Sequence, residues 1–243
     1  IQAYKSGADV VFMHNNGTDQ VRIKGWFDGT TSSASVVTQS VLERIEFADG
    51  TVWSFSDISS ISLGQVGTEL GDVLAGGSGN DNIRGGDGDD IIDGGAGVNR
   101  LYGDAGDDSI QVASSSRDNI LAGGTGKDTL KGGYFSDTYV FNLGDGQDTI
   151  TEYDAGNSAT DTLRFGSGIL ASDIVMRRVG SDLVLLHRNG SDQVTVKEVF
   201  DRDTSAASAV TSTLIERIEF ADGTTWTWSD MVAAGLSQTG TAG

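Results

Sequence analysis

From Gly67 onward the sequence advances in nines. Gly76-Gly77-Ser78-Gly79-Asn80-Asp81-Asn82-Ile83-Arg84 is followed by Gly85-Gly86-Asp87-Gly88-Asp89-Asp90-Ile91-Ile92-Asp93. The same frame holds from Gly67 to Ala75, Gly94 to Tyr102, Gly103 to Gln111, Gly123 to Lys131 and Gly132 to Val140. Position six carries Asp72, Asp81, Asp90, Asn99, Asp108, Asp128 and Asp137; position eight carries Leu74, Ile83, Ile92, Leu101, Ile110, Leu130 and Tyr139. One apolar residue in nine fits neither the stripe of an amphipathic helix nor the alternation of an ordinary strand. It fits a short strand whose central side chain points inward. The glycines between strands suit turns, because glycine reaches positive φ without a Cβ penalty. Each nine is then half a coil, and the pattern predicts an all-β chain built on a parallel β-roll, a β-solenoid with two strands per turn.

The stretch Val112 to Ala122 is irregular, with Ser114-Ser115-Ser116-Arg117 in place of glycines and two residues added. Asp118 stands there as the counterpart of position six and Ile120 of position eight, and a bulge or a lost ion is expected. Beyond Val140, Gly144-Asp145-Gly146-Gln147-Asp148-Thr149-Ile150 reads as one more turn, with Asp148 at its carboxylate position, followed by Asp161-Thr162-Leu163-Arg164-Phe165.

A longer period surrounds the nines. Glu43-Arg44-Ile45-Glu46-Phe47-Ala48-Asp49-Gly50-Thr51 recurs unchanged from Glu216 to Thr224, an offset of 173. At that offset Asp9-Val10-Val11-Phe12-Met13-His14 matches Asp182-Leu183-Val184-Leu185-Leu186-His187, and Gly64-Gln65-Val66-Gly67-Thr68 matches Ser237-Gln238-Thr239-Gly240-Thr241. The reading is a tandem array of such units, of which this chain is an internal piece. Three parts follow: a β-rich capping segment over 1–66, the roll over 67–165, and the second copy of the cap over 166–243. Within the caps, Asn16-Gly17 and Asn189-Gly190 are hairpin signals between apolar runs, Asp49-Gly50 marks a second hairpin, and Ser229 to Gly235 reads as a short helix with a Ser cap. Caps are needed because a solenoid's open ends expose apolar layers and strand edges.

The motif Gly-Gly-x-Gly-x-Asp-x-apolar-x resembles the RTX, or haemolysin-type calcium-binding, nonapeptide repeat of secreted bacterial proteins. Calcium takes six to eight oxygens. The resemblance implies that these come from position-six side chains and from turn carbonyls. The candidate ligands are Asp72, Asp81, Asp90, Asn99, Asp108, Asp118, Asp128, Asp137 and Asp148, with Gly76, Gly85, Gly94, Gly103 and Gly123 at position one. Ser78, Asp87, Ala96, Ala105 and Thr125 at position three complete the set. Turns eighteen residues apart stack on one edge of a roll, so Asp72, Asp90, Asp108 and Asp128 share one edge and Asp81, Asn99, Asp118 and Asp137 the other. The resemblance implies about five or six calcium ions. Asn99 lacks a carboxylate, so its sites are expected to be weak or empty. Bare carboxylates one strand spacing apart repel by roughly 3.5 kcal/mol at an effective dielectric of about 20. Several such pairs rival the ~5–15 kcal/mol of a whole domain's stability, so the roll is expected to fold only with calcium.

Charge and composition narrow the partners. The net charge of -19 disfavours nucleic acid and anionic membrane surfaces, and no apolar run is long enough to span a bilayer. Zero cysteine excludes disulfides and thiolate chemistry. His14 and His187 are copies of one strand-end position, and no nucleophile elbow or zinc helix is present, so no enzyme is expected. The resemblance implies a secreted or cell-surface protein exported by type I secretion, folding outside the cell as an extender module of an adhesin or toxin-like chain. Its partners would be calcium, neighbouring tandem modules, and a surface glycan or protein. The alternative is a carbohydrate-binding or accessory module of a secreted polysaccharide-acting enzyme.

Overall fold

The computed structural model describes residues 2–6, 9–13, 20–23, 44–46, 51–54, 64–153, 159–200 and 215–233. The caps' first strands are β1 (Gln2–Ser6), β2 (Asp9–Met13), β3 (Gln20–Ile23), β4 (Arg44–Glu46) and β5 (Val52–Ser54). The roll runs through β6 (Gly64–Val66), β7 (Val73–Ala75), β8 (Asn82–Asp87), β9 (Ile91–Asp93), β10 (Arg100–Ala105) and β11 (Ser109–Gln111). It continues through β12 (Ile120–Thr125), β13 (Thr129–Lys131), β14 (Thr138–Phe141), β15 (Gln147–Thr151) and β16 (Thr162–Phe165). The second cap supplies β17 (Ile174–Val179), β18 (Asp182–His187), β19 (Gln193–Val196), β20 (Arg217–Glu219), β21 (Thr225–Thr227) and helix α1 (Trp228–Ala233).

The nonapeptide strands alternate between two parallel sheets. Strands β6, β8, β10, β12, β14 and β16 lie side by side in an 11-stranded sheet, and β7, β9, β11, β13 and β15 in an 8-stranded one. Position eight is in register throughout. Leu74 opposes Ile92, then Ile110, Leu130, Ile150 and Val196. On the other sheet Ile83 opposes Leu101, then Leu121, Tyr139, Leu163 and Ile218. These side chains are all buried and form the thin central core. Each contributes about 1.5–3 kcal/mol by leaving water.

The turn geometry explains the glycines. Gly86 and Gly88, at positions two and four, sit at φ +112° and +94°, and a Cβ at Gly88 would lie 2.6 Å from Gly71 N. An L-side chain there meets both backbone strain and the neighbouring coil. Asp104 takes a glycine's place at φ 78° and is held by an ion pair with Arg84.

The register through the irregular stretch differs from the sequence expectation. Leu121, not Ile120, stacks between Leu101 and Tyr139 and is fully buried. Position six is therefore Asn119, and Asp118 points to solvent at φ 48°. The two added residues bulge out of the turn before Asn119, so the frame shifts by one from the count made along the chain.

The second cap closes the roll's far end. Phe165 stacks on Phe220 at 5.2 Å, Phe220 packs edge-on to Trp226 at 4.6 Å, and Met231 of α1 is fully buried. Helix α1 is capped by Thr227 rather than Ser229: Asp230 Oδ2 accepts from the Thr227 N–H at 2.8 Å, and Thr227 Oγ1 accepts from the Asp230 N–H at 3.4 Å. The β2–β3, β4–β5 and β18–β19 pairings are antiparallel hairpins. In the last, Asn189 Oδ1 accepts from the N–H groups of Ser191 and Asp192, with Gly190 at φ 81°. Asn16-Gly17, Asp49-Gly50, His14 and Gly235 lie outside the described residues.

Candidate calcium sites along the two edges

Beyond the first coil, where Asp72 Oδ2 accepts from the Thr68 N–H at 2.7 Å, the position-six side chains from Asp90 onward share one role. Oδ1 accepts a backbone N–H from the coil before it. On one edge, Asp90 Oδ1 accepts from Asp72 N–H at 2.7 Å, Asp108 from Asp90 at 2.8 Å, Asp128 from Asp108 at 2.8 Å, and Asp148 from Asp128 at 3.1 Å. On the other edge the acceptors are Asn99 for Asp81, Asn119 for Asn99, Asp137 for Asn119 and Asp161 for Asp137, all between 2.7 and 2.9 Å. Glu216 from the second cap ends this ladder, accepting from the Asp161 N–H at 2.7 Å.

The second oxygen is different. Oδ2 of Asp90, Asp108, Asp128 and Asp148 is buried with no hydrogen-bond donor. In Asp90, Asp108 and Asp128 it faces the Cα of a position-one glycine, whereas Asp148 has Leu143 at that position. A Cβ at Gly85, Gly103 or Gly123 would collide with the carboxylate of Asp90, Asp108 or Asp128. The same Cβ at Gly85 would lie 2.6 Å from Gly103 O, and that at Gly103 2.5 Å from Gly123 O. At Gly76 it would lie 2.5 Å from Asp81 Oδ2 and 2.7 Å from Gly94 O. The cradle is thus lined by carboxylate and carbonyl oxygens. A buried acceptor without a donor costs several kcal/mol if charged, so at neutral pH the arrangement favours a bound cation over bare carboxylates. An all-oxygen donor set on a pliable glycine turn suits calcium.

The electrostatics agree. Burial pushes the Asp90 carboxyl up from its ordinary range, and Asp108 up to about 6, with neighbouring aspartates adding to the effect. Burial and mutual repulsion also push Asp128 and Asp148 up. Ser78, Asp87 and Thr125 at position three are exposed, while Ala96 and Ala105 are half-buried, with Ala96 N–H donating to Gly77 O at 2.7 Å.

The edge holding Asn99 departs from this scheme. Asn99 Nδ2 donates to Ala96 O at 3.4 Å, to Gly95 O at 3.5 Å and to Ser116 Oγ at 3.3 Å. Ser116 Oγ lies 2.7 Å from both Gly97 O and Asn119 Oδ1. Asn119 Nδ2 donates to Asp137 Oδ1 at 2.6 Å. A neutral amide network fills the rung, and the Asn99 N–H groups face the Gly95 and Ala96 carbonyls of their own turn. Below it, Asp137, Glu152 and Asp161 bring carboxylate oxygens within 4.8 Å of one another, all buried. The Tyr139 hydroxyl donates to Glu152, whose carboxyl burial pushes well above its ordinary range. Glu152, Asp161 and Glu216 were not among the ligands expected from sequence. Asp161-Thr162-Leu163 does carry the Asp-x-apolar signal, and Glu152 stands at position one, where the earlier repeats have glycine.

Comparison with known families matches this geometry. The RTX calcium-binding nonapeptide repeat family matches residues 66–101, 93–111 and 114–150. Residues 66–111 and 114–150 are RTX calcium-binding nonapeptide repeats. The haemolysin-type calcium binding protein related domain matches residues 9–57 and 182–230, one segment and its copy at the offset of 173. Iron-regulated protein FrpA of Neisseria meningitidis serogroup C is 38% identical over 86 residues, covering 35% of this chain. The chain spans 7% of that relative's length. The crystal structure of extracellular lipase LipA from Serratia marcescens aligns over 65% of this chain and 40% of its own, with 18% identity and a TM-score of 0.32. Among the described residues, no helix is long and apolar enough to cross a membrane.

Proposed function

We propose that this RTX segment is a structural extender module of a secreted bacterial adhesin or toxin-like protein, and that calcium outside the cell switches it from unfolded to rigid. The observation that carries the reading is the row of donorless Oδ2 atoms at Asp90, Asp108, Asp128 and Asp148. The protein's residues hold a column of buried carboxylates in place through Oδ1 and, at Asp90, Asp108 and Asp128, leave Oδ2 aimed into a glycine-floored cradle. Calcium, when bound, supplies the positive charge that lets the column ionise and packs one coil on the next. Without it, the thin core of one apolar side chain per half-coil does not offset the burial of that charge. The ion count of five or six implied by the repeats splits unevenly in this reading. The Asp72–Asp148 edge holds an ion between each pair of stacked carboxylates, and the Asn99–Asn119 rung holds none. Zero cysteine suits a chain exported unfolded, because no disulfide forms before passage.

The module is read as non-catalytic. Trp226 is packed against the core rather than displayed as a sugar platform. A glycan-binding role has one observation in its favour: Tyr134 and Tyr153 pack ring to ring at 5.4 Å, with Tyr153 exposed. The deciding experiment is a calcium titration of the metal-stripped chain by far-UV circular dichroism, with magnesium as control. A cooperative coil-to-β transition in calcium alone is expected. A chain already folded in chelator, or one equally responsive to magnesium, refutes the switch.

A further inference from the structure

The two caps contain the same three-stranded meander, folded in the same register. β1 pairs with β2 from Gln2↔Met13 to Ser6↔Asp9, and β17 with β18 from Val175↔Leu186 to Val179↔Asp182. Phe12↔Val21 in one copy is Leu185↔Val194 in the other. Adding 173 to each residue of the first copy gives the second. Yet the copies are used from opposite edges. The second meander grips the roll through β19, which pairs parallel with β15, the last nonapeptide strand of the 8-stranded sheet. The first grips it through β1, which pairs parallel with β6, the opening strand of the 11-stranded sheet, at Tyr4↔Gly64 and Lys5↔Gln65.

Among the described strands, each meander therefore ends its sheet at the edge that its copy uses to pair. Among the described residues, β17 is paired only with β18, and β3 only with β2. β17 is six residues long and leaves Val175 and Val179 42% and 50% exposed. A bare edge of this length presents a row of backbone donors and acceptors that sheets ordinarily cover, shorten or blunt.

We infer that the meander is a two-sided joint and that the outer edge of β17 receives the opening strand of a following nonapeptide roll. That strand would run parallel to β17, its first two residues opposite Arg177 and Arg178, the equivalents of Tyr4 and Lys5. The occupant is an extended Gly-Gln-Val type segment leading into a glycine-rich turn, as in Gly64–Val66. The inference rests on the tandem-module reading above, which names a following roll. It adds how the modules are coupled. The 8-stranded sheet of one roll would pass through β19, β18 and β17 into the 11-stranded sheet of the next. Successive rolls would share one hydrogen-bonded sheet rather than hang from a flexible linker. The same logic gives the outer edge of β3 to the closing strand of a preceding roll.

The test is amide hydrogen exchange in calcium on two chains. One is the protein as it stands. The other carries a second copy of residues 64–243 after Leu236, so that one of its two β17 strands is internal and one terminal. Met176→Leu in the internal copy separates the two β17 peptides by mass. In the two-unit chain the internal β17 is expected to exchange at least about 10-fold more slowly than the terminal one, which keeps the rate of the single-unit chain. Equal rates at the two copies overturn the joint. Protection of β17 in the single-unit chain that grows with protein concentration and accompanies a dimer in sedimentation also overturns it, because the edge would then pair between molecules. Circular dichroism of the same samples separates the two claims: a calcium-folded chain with equal exchange sinks the joint alone, whereas a chain that calcium does not fold sinks the module reading.

Discussion

Replacing Asp108 by Asn should change the sign of its effect with calcium. Asp108 stands mid-column, its Oδ1 accepting from Asp90 N–H at 2.8 Å and its own N–H donating to Asp128 Oδ1 at 2.8 Å. Asparagine keeps both bonds. It replaces the donorless Oδ2 with an N–H₂ that faces the carbonyls beside Gly103, as Asn99 Nδ2 does toward Gly95 and Ala96. In chelator the change removes two like-charge neighbours at one strand spacing, each costing up to roughly 3.5 kcal/mol at an effective dielectric of about 20. The metal-free variant should therefore be more folded than the parent. In calcium it loses a charged ligand shared by the cradles above and below. A site held at 100 times its dissociation constant contributes about 2.7 kcal/mol, so one to two weakened sites cost about 3–5 kcal/mol. The assay is the β signal by circular dichroism in chelator, followed by urea unfolding in millimolar calcium. The reciprocal Asn99→Asp should behave oppositely in chelator. If Asp108→Asn is no more folded than the parent without calcium, column repulsion is not what keeps the metal-free roll open, and the reasoning fails.

Two further outcomes follow from the same geometry. Gly103→Ala places a methyl group against the Asp108 carboxylate and 2.5 Å from Gly123 O, so it should remove about one ion and some 2–3 kcal/mol, whereas Gly79→Ala, with open space around it, should be near neutral; equal calcium stoichiometry in the two variants by equilibrium dialysis would count against the cradle. Acid should partly replace calcium. The Asp108 carboxyl is raised to about 6 by burial, so the folded state binds protons that the unfolded chain does not. That contribution is fully present below the unfolded value of about 3.9 and lost as pH rises through about 6. The chelated chain should gain β signal on acidification across this window, and a flat response would show that these carboxyls are not buried together.

How much was legible in the sequence depended on local markers. The glycines at positions two and four announce turns because their φ values are positive, and the inward residue at position eight announces itself by its period. Asp90, Asp108 and Asp128 could be placed on one edge from spacing alone. At Ser114 to Arg117 the markers vanish. Asp118-Asn119-Ile120 and Asn119-Ile120-Leu121 then fit the Asp/Asn-x-apolar pattern equally well. Only the packing of Leu121 between Leu101 and Tyr139 selects the second. Glu152 stands where the repeat has a position-one glycine, and Glu216 lies 55 residues beyond Asp161, so neither matches the residue type and period that mark the other ligands.

The amino-acid sequence by itself determined the coil: its period, its two edges, its glycine floor and its column of acids. Those are local properties, repeated until a single solution fits every copy. Tertiary structure decided what has no period. It set which residue follows a bulge into the core, and which oxygen of each aspartate is spent on the backbone and which is left over. It also decided which edge of a duplicated meander meets a roll. The two meanders share a register yet pair through different strands, because an edge is chosen by the neighbour it finds, and that neighbour lies far away along the chain.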